Sequence, residues 1–217
     1  MFSFVLAGLS GYILGSFPTA FLIVRWKSQL DIRGAGSGNV GMLNSYLVTR
    51  SYPVAAAVLA LDAAKGIGAV LLARAIGGDD FAHGATGGAC AIVGHNFPVW
   101  LAFRGGRGLA TAAGVFALLA WPVVPLWGGI WLAAKILLGD VNVANAAASL
   151  VTLLLAETLP GGVLAIAGGG AAPASEFRLL ALVAFATVIM KHVAPVRAYI
   201  LKRRAAGPGD RGKVRSS

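Results

Sequence analysis

The sequence predicts an all-α, polytopic integral membrane protein with about seven transmembrane helices. Three observations predict it. Of 217 residues, 58% are hydrophobic and only 12% are charged, roughly half the charged share of a soluble domain. Mean hydropathy is +0.79. The apolar residues also fall into separate runs, most of them near the length a helix needs to cross the roughly 30 Å hydrocarbon layer. The same numbers exclude collagen-like, disordered and disulfide-rich secreted classes. The 30 glycines have no three-residue period and fit helices whose backbones pack closely.

Residues 2–24 carry no charge and predict a first span; the run is too long for a signal-peptide core and has no basic flank before it. Residues 25–50 are polar and glycine-rich. Residues 52–76 predict a second span, which contains Asp62 and Lys65. Residues 81–103 predict a third, interrupted at Gly94 and with Pro98 near its end. Residues 108–138 are apolar, but Pro122 and Pro125 would kink a single helix badly. Two short helices turning at Trp121–Pro125 give a fourth and a fifth span. Residues 143–158 predict the sixth. A turn from Pro160 to Pro173 precedes the last helix, expected from about Glu176 to Leu201 and broken or bent at Pro195. One transmembrane domain is thus expected over 1–201, with a basic, disordered tail over 202–217.

Charge orients these spans. The net charge is +10, and eight of the 18 basic residues follow position 190. With the N-terminus outside, loop 25–50, Arg104, Arg107, Lys135 and the basic C-terminal end all lie in the cytoplasm, as the positive-inside rule requires. Only Arg74 and Arg178 remain near the outer face. The basic tail has no interleaved aromatics, so nucleic acid is not an expected partner. Cys90 is the only cysteine and reads as a small core residue. His83, His95 and His192 have no partner cysteines and no metal-ligand spacing.

Three polar segments carry candidate chemistry. In the first, Asp31 to Asn44, Gly36, Gly38 and Gly41 let main-chain N–H groups turn toward one point, Ser37 and Asn39 add side-chain donors, and an apolar helix start follows. That arrangement can cradle a phosphate; it is equally what a flexible glycine-rich loop would show. In the second, Gly94-His95-Asn96-Phe97-Pro98 leads to Phe103-Arg104-Gly105-Gly106-Arg107-Gly108-Leu109-Ala110-Thr111. Bare backbone, guanidinium groups and a helix N-terminus suit an anion. Arginine is also ordinary in a positive-inside loop, but three glycines beside it are not. The third is the intramembrane pair Asp62 and Lys65, on one helix face and able to pair. It reads equally as a structural ion pair or as part of a site. Lys191-His192 either anchors the last helix or faces the glycine loops.

These segments, with Gly15-Ser16-Phe17-Pro18-Thr19 and Leu61-Asp62 through Lys65-Gly66, follow one another in the order seen in the bacterial acyl-phosphate:glycerol-3-phosphate acyltransferases, which the chain resembles over nearly its whole length. The resemblance implies a seven-helix membrane enzyme of the bacterial inner membrane. It would move an acyl group from acyl phosphate to the 1-hydroxyl of glycerol 3-phosphate, yielding 1-acyl-glycerol 3-phosphate (lysophosphatidic acid) and phosphate, the first acylation of phospholipid synthesis. It implies no metal or cofactor and no protein nucleophile. Partners are the two substrates and membrane lipids. The substrate- and phosphate-binding residues it implies are Ser37, Gly38, Asn39, Gly41, Asn44, His95, Gly105, Gly106, Arg107, Gly108 and His192, with His192 and Asn142 as candidates beside the reacting groups.

The chain departs from the family pattern at several positions. Met42-Leu43 stands for alanine-threonine, Leu47 for an arginine, Arg107 for a lysine, Asn142 and Asn145 for serines, and Pro195 for an asparagine. These changes fall mainly on the acceptor side, while the glycine loops persist. A divergent relative with another acceptor or no activity, and a carrier for a phosphorylated anion, remain alternatives. Carriers are often built from repeats, and neither glycine loop has a second copy in this sequence.

Overall fold

The computed structural model describes residues 1–167 and 173–205, and all regular structure among them is helical. The helices are α1 (Phe2–Ser16), α2 (Thr19–Ser28), α3 (Met42–Thr49), α4 (Tyr52–Gly77), α5 (Phe81–Asn96), α6 (Leu109–Leu119), α7 (Val123–Leu138), α8 (Val141–Thr158), α9 (Gly161–Ala167) and α10 (Ala174–Ala205). Four stretches are long and apolar enough to cross a membrane: Phe2–Ser28 taken together, α4, α8 and α10. Two more apolar helices, α6 and α7, are shorter.

Several expected boundaries need correction. The uncharged run 2–24 is not one helix. Pro18 has no N–H to continue the ladder and disfavours a helical Phe17, so α1 ends at Ser16 and α2 restarts at Thr19. The expected span 81–103 stops at Asn96, before Phe97-Pro98. The chain then turns back through a short 3-10 segment, with Phe103 N donating to Pro98 O at 2.9 Å. The two-helix reading of 108–138 holds. Pro122 caps α7, and Pro125 lies in its first turn, where a missing N–H costs nothing. Part of the Pro160–Pro173 turn is the helix α9, and 168–172 lie outside the described residues. The last helix passes through Pro195 without ending and continues to Ala205. Pro195 removes only the bond to the carbonyl of Lys191, a loss that a long helix tolerates. Residues 202–205 are therefore helical, and 206–217 of the expected tail lie outside the described residues.

Side-chain caps open α4, α5 and α8. Ser51 Oγ accepts from Val54 N, Asp80 from His83 N, and Asp140 from both Asn142 N and Val143 N.

Glycine sets the closest packing. A Cβ on Gly11 or Gly15 of α1 would collide with the carbonyl oxygens of Gly87 and Ala91 on α5, and one on Gly94 would collide with that of Tyr12. Across the molecule, Gly66 of α4 lies on the carbonyl of Thr111, and Gly114 of α6 on that of Ala63. These helices touch backbone to backbone, where dispersion contacts are densest. One apolar cluster joins α4 to α10 through Val70, Ile92, Val115, Val123, Ala156, Leu164 and Phe185. A second, around Val24, Ile32, Val40 and Val58, seats the segment 29–41 on α2 and α4.

The exterior is apolar, unlike that of a water-soluble protein. Phe2, Leu9 and Ile13 on α1, Ile136 and Leu137 on α7, Leu154 on α8 and Leu179 on α10 are exposed, whereas Asn44, Asp62, Lys65, His95, Asn96, Asn145 and His192 are buried. An apolar exterior, with the polar and charged side chains of the spans turned inward among the apolar clusters, suits hydrocarbon as the surrounding solvent.

Candidate active site

The first glycine loop is built around one amide. Asp31 opens it: its carboxylate accepts from Arg33 N at 2.9 Å and pairs with the Arg33 guanidinium at 2.7 Å. Those bonds hold the Asp31 carboxyl at about 2, below the ordinary carboxylate range. Asn44, 1% exposed on α3, then reaches back under the loop. Its Oδ1 accepts from Ser37 N at 2.8 Å, and its Nδ2 donates toward the carbonyls of Ala35 and Asn39 at 3.0 Å and Ile32 at 3.2 Å. Gly36 (φ +59°) could not carry a side chain there, since a Cβ would strike Asn44 Oδ1. Asn44 therefore lies beneath the loop and shapes it, rather than on the loop's outer surface. Ser37 is exposed, Gly38 and Asn39 are half-buried, and buried Gly41 caps α3 against the Asn39 side chain.

The second loop rests on the end of α5. Gly106 N donates to His95 O at 3.0 Å, and a Cβ on Gly105 would collide with that same carbonyl. Gly108 (φ +82°) caps α6 directly above Asn96. Two bonds from α1 steady the approach: Tyr12 Oη donates to Phe97 O at 2.8 Å, and Trp100 Nε1 to Ser16 Oγ at 2.9 Å. The two loops meet. The position a Cβ would take on Gly106 lies 2.6 Å from Val40 O, next in chain to Asn39, and also against the His95 ring.

Cations and amides border this junction. Arg107 is half-buried and donates to Asn142 Oδ1, at the start of α8. Burial draws its guanidinium below the ordinary arginine value, and the Asp140 charge opposes that shift. His192 is fully buried on α10, with Nδ1 2.8 Å from Val188 O and Nε2 3.3 Å from Asn145 Nδ2. Lys191 lies over the Phe97 ring at 4.9 Å. Arg107 on Asn142, Asn145 on His192 and Lys191 over Phe97 bring the second loop, the start of α8 and this part of α10 to one end of the molecule. Arg50 is the left-handed cap of α3.

Asn96 and Thr111 lie in the second polar segment but not among the binding residues that the family resemblance implies. Both are buried, and the Asn96 amide and the Thr111 hydroxyl are unpartnered within the described residues. A buried polar group left unpaired is costly. Their polarity inside otherwise apolar helices was the available signal.

The family model described as glycerol-3-phosphate acyltransferase matches residues 5–202. The chain belongs to that family. A glycerol-3-phosphate acyltransferase of Dinoroseobacter shibae is 44% identical over 151 residues, 70% of this chain and 73% of that protein. One from a Synechococcus species is 39% identical over 173 residues, covering 78% and 85%. Two crystal structures of PlsY, an integral membrane glycerol 3-phosphate acyltransferase, also match at 27% identity. The glycerol 3-phosphate form covers 93% of this chain and 94% of its own at TM-score 0.74. The lysophosphatidic acid form covers 93% of each at TM-score 0.73. The chain is thus an all-helical membrane protein of the acyltransferase family.

Against that family, the departures noted in the sequence have distinct places. Leu43 and Leu47 are exposed along α3. Asn142 and Asn145, where the family pattern has serines, hold Arg107 and His192 respectively. Pro195 lies within α10, one turn beyond Lys191.

Proposed function

We propose that the protein transfers an acyl group from acyl phosphate to the 1-hydroxyl of glycerol 3-phosphate, releasing 1-acyl-glycerol 3-phosphate and inorganic phosphate. The observation that carries this reading is the meeting of two glycine loops at Val40 and Gly106, with a guanidinium and a helix N-terminus beside them, in a chain of the acyltransferase family. The Ser37 and Asn39 side chains, Arg107 and the start of α6 can hold two phosphates close together. Acyl phosphate is an activated donor, so positioning and charge stabilisation are sufficient. The acceptor's hydroxyl oxygen attacks the acyl carbon, and the carbon–oxygen bond to phosphate breaks with its electron pair leaving on phosphate. The hydroxyl proton passes to a phosphate oxygen of a substrate.

Ser37, Gly38 and Asn39 are assigned to one phosphate, and Gly105, Gly106, Arg107 and Gly108 to the other. Asn44 and Gly41 shape the first loop, and His95 supports the second. His192 with Asn145, and Asn142 with Arg107, border the reacting groups. Seven crossings are proposed: α1 with α2, then α4, α5, α6, α7, α8 and α10. The N-terminus lies outside and the site faces the cytoplasm of the bacterial inner membrane, with the donor chain among the lipid-facing helices. The basic residues Arg25, Lys27, Arg104, Arg107 and Lys135 support that orientation.

The test uses purified protein in micelles with acyl phosphate and glycerol 3-phosphate. Phosphate release that requires both substrates, with lysophosphatidic acid formed, supports the enzyme. Uptake of glycerol 3-phosphate into vesicles without chemistry would replace it with a carrier.

A further inference from the structure

Beneath the loops lies a charge cluster that the acyl-transfer step leaves unused. Asp62 on α4 is 1% exposed, and Lys65, one turn on, is 7% exposed. Lys65 Nζ stands 2.9 Å from Asp62 Oδ1 and donates to Phe17 O at 3.1 Å, at the break between α1 and α2. Thr19 Oγ1, just past that break, donates to the same Asp62 oxygen. From the other side, His95 Nδ1 stands 3.5 Å from Asp62 Oδ1 and has no other partner among the described residues. The opposite edge of the ring, Nε2 and Cε1, fills the space that a Cβ on Gly106 would need. Lys65, Thr19, His95, Gly105 and Gly106 share a cavity of about 10 Å³, room for no more than a single water.

An ion pair serving only to pin α4 to α1 would be complete with Asp62, Lys65, Thr19 and Phe17 O. It would not require an imidazole between the carboxylate and a glycine loop. Nor is a buried pair by itself an efficient source of stability, because the desolvation of both charges offsets their attraction. We propose that Asp62 is a positioning residue. It fixes the His95 ring from behind, and the ring sets the height of Gly105–Gly106, and with it Arg107 and the start of α6, against Val40 of the first loop. Lys65 supplies the compensating charge and ties the cluster to the α1–α2 break. Asp62 touches no substrate in this scheme.

The kinetic consequence rests on the acyltransferase reading, whereas the structural consequence does not. The test compares Asp62→Asn, the doubly neutral Asp62→Asn/Lys65→Met, and wild type, in micelles. Hydrogen exchange is followed over residues 99–109, and KM and kcat are measured for both substrates. Because a small displacement of a positioning loop has large kinetic effects, both variants are expected to raise KM for the phosphate-bearing substrates about tenfold with a smaller change in kcat. Exchange over 99–109 should be faster in both and unchanged over α10. The double variant is decisive, since removing both charges relieves a merely structural pair. If it restores wild-type exchange and KM, Asp62 only pins helices and the proposal is overturned. Normal exchange in Asp62→Asn would overturn it too. Should both variants fail to fold, His95→Gln, which spares the ion pair, takes their place, and unchanged exchange at 99–109 refutes the idea. If wild type lacks acyl transfer, the functional reading fails and the exchange comparison still decides the positioning role.

Discussion

Asn44 commits both ends of its amide to the main chain of the loop it supports. Asn44→Ala would leave Ser37 N–H and several carbonyls without partners, costing about 2 kcal/mol. Thermal unfolding should register that loss, and acyl transfer should fall with it. By contrast, Ser37 and Asn39 support little of the fold. Ser37→Ala and Asn39→Ala should depress acyl transfer strongly while membrane insertion stays intact, and wild-type rates in both would remove the first loop from the site. At Arg107, replacement by Ala should weaken phosphate handling and replacement by Lys should do less harm. Equal loss in both would mean that the planar fork, which also engages Asn142, is what the site uses. Asp31 gives a pH dependence. Its folded value of about 2 lies below the ordinary 3.8, so the stabilisation from its Arg33 pair is fully present above 3.8 and disappears as pH falls through 2. Hydrogen exchange in loop 31–41 should therefore hold its protection from neutral pH to about 4 and lose it only in stronger acid.

Among elements, the α1–α5 seam is the tightest visible constraint. Gly11 and Gly15 face Gly87 and Ala91 with no room for a Cβ. Gly15→Leu should force the two helices apart and shift Ser16, which accepts from Trp100 at the base of the second loop. Overpacking of this kind costs about 1–3 kcal/mol. The measurable outcome is a lowered melting temperature together with reduced acyl transfer, whereas a lipid-facing change such as Ile13→Leu should alter neither. The break at Pro18 belongs to the same scale. There the Phe17 carbonyl accepts from both Thr19 N and Lys65 Nζ, and the Thr19 hydroxyl donates to Asp62, so an interruption of the first helix becomes an attachment point for α4.

For the whole molecule, the two ends differ in kind. One carries both glycine loops, Arg107 and Lys191. The other carries the Asp80–His83 contact, with His83 Nε2 3.1 Å from Ser3 Oγ and Phe4 stacked on the ring, and the Arg178 bonds to the carbonyls of Ala156 and Leu159. If the loop end faces the cytoplasm, a cysteine placed at exposed Lys27 in a Cys90→Ala background should react with a membrane-impermeant maleimide only after cells are opened. A cysteine at Asp79 should react in intact cells with a permeable outer membrane. The reverse pattern would invert the proposed topology.

Much of this was legible in the residues alone. Composition and run length determined the helical membrane class, because a bilayer admits few other ways to satisfy a backbone. Pro122 and Pro125 predicted the split into α6 and α7, and two separated glycine clusters identified the loops. Tertiary structure decided what depends on distance between remote parts of the chain. Hydropathy averages over a window, so it runs across Pro18 without a break and carries the third span past Pro98, where the helix has already ended at Asn96. No local pattern could show that Val40 meets Gly106, that Asn44 lies under its own loop, or that His95 stands between Asp62 and Gly106. Those relations arise when glycine-lined helix faces come together and bring short polar segments, far apart in sequence, to the same end of the bundle.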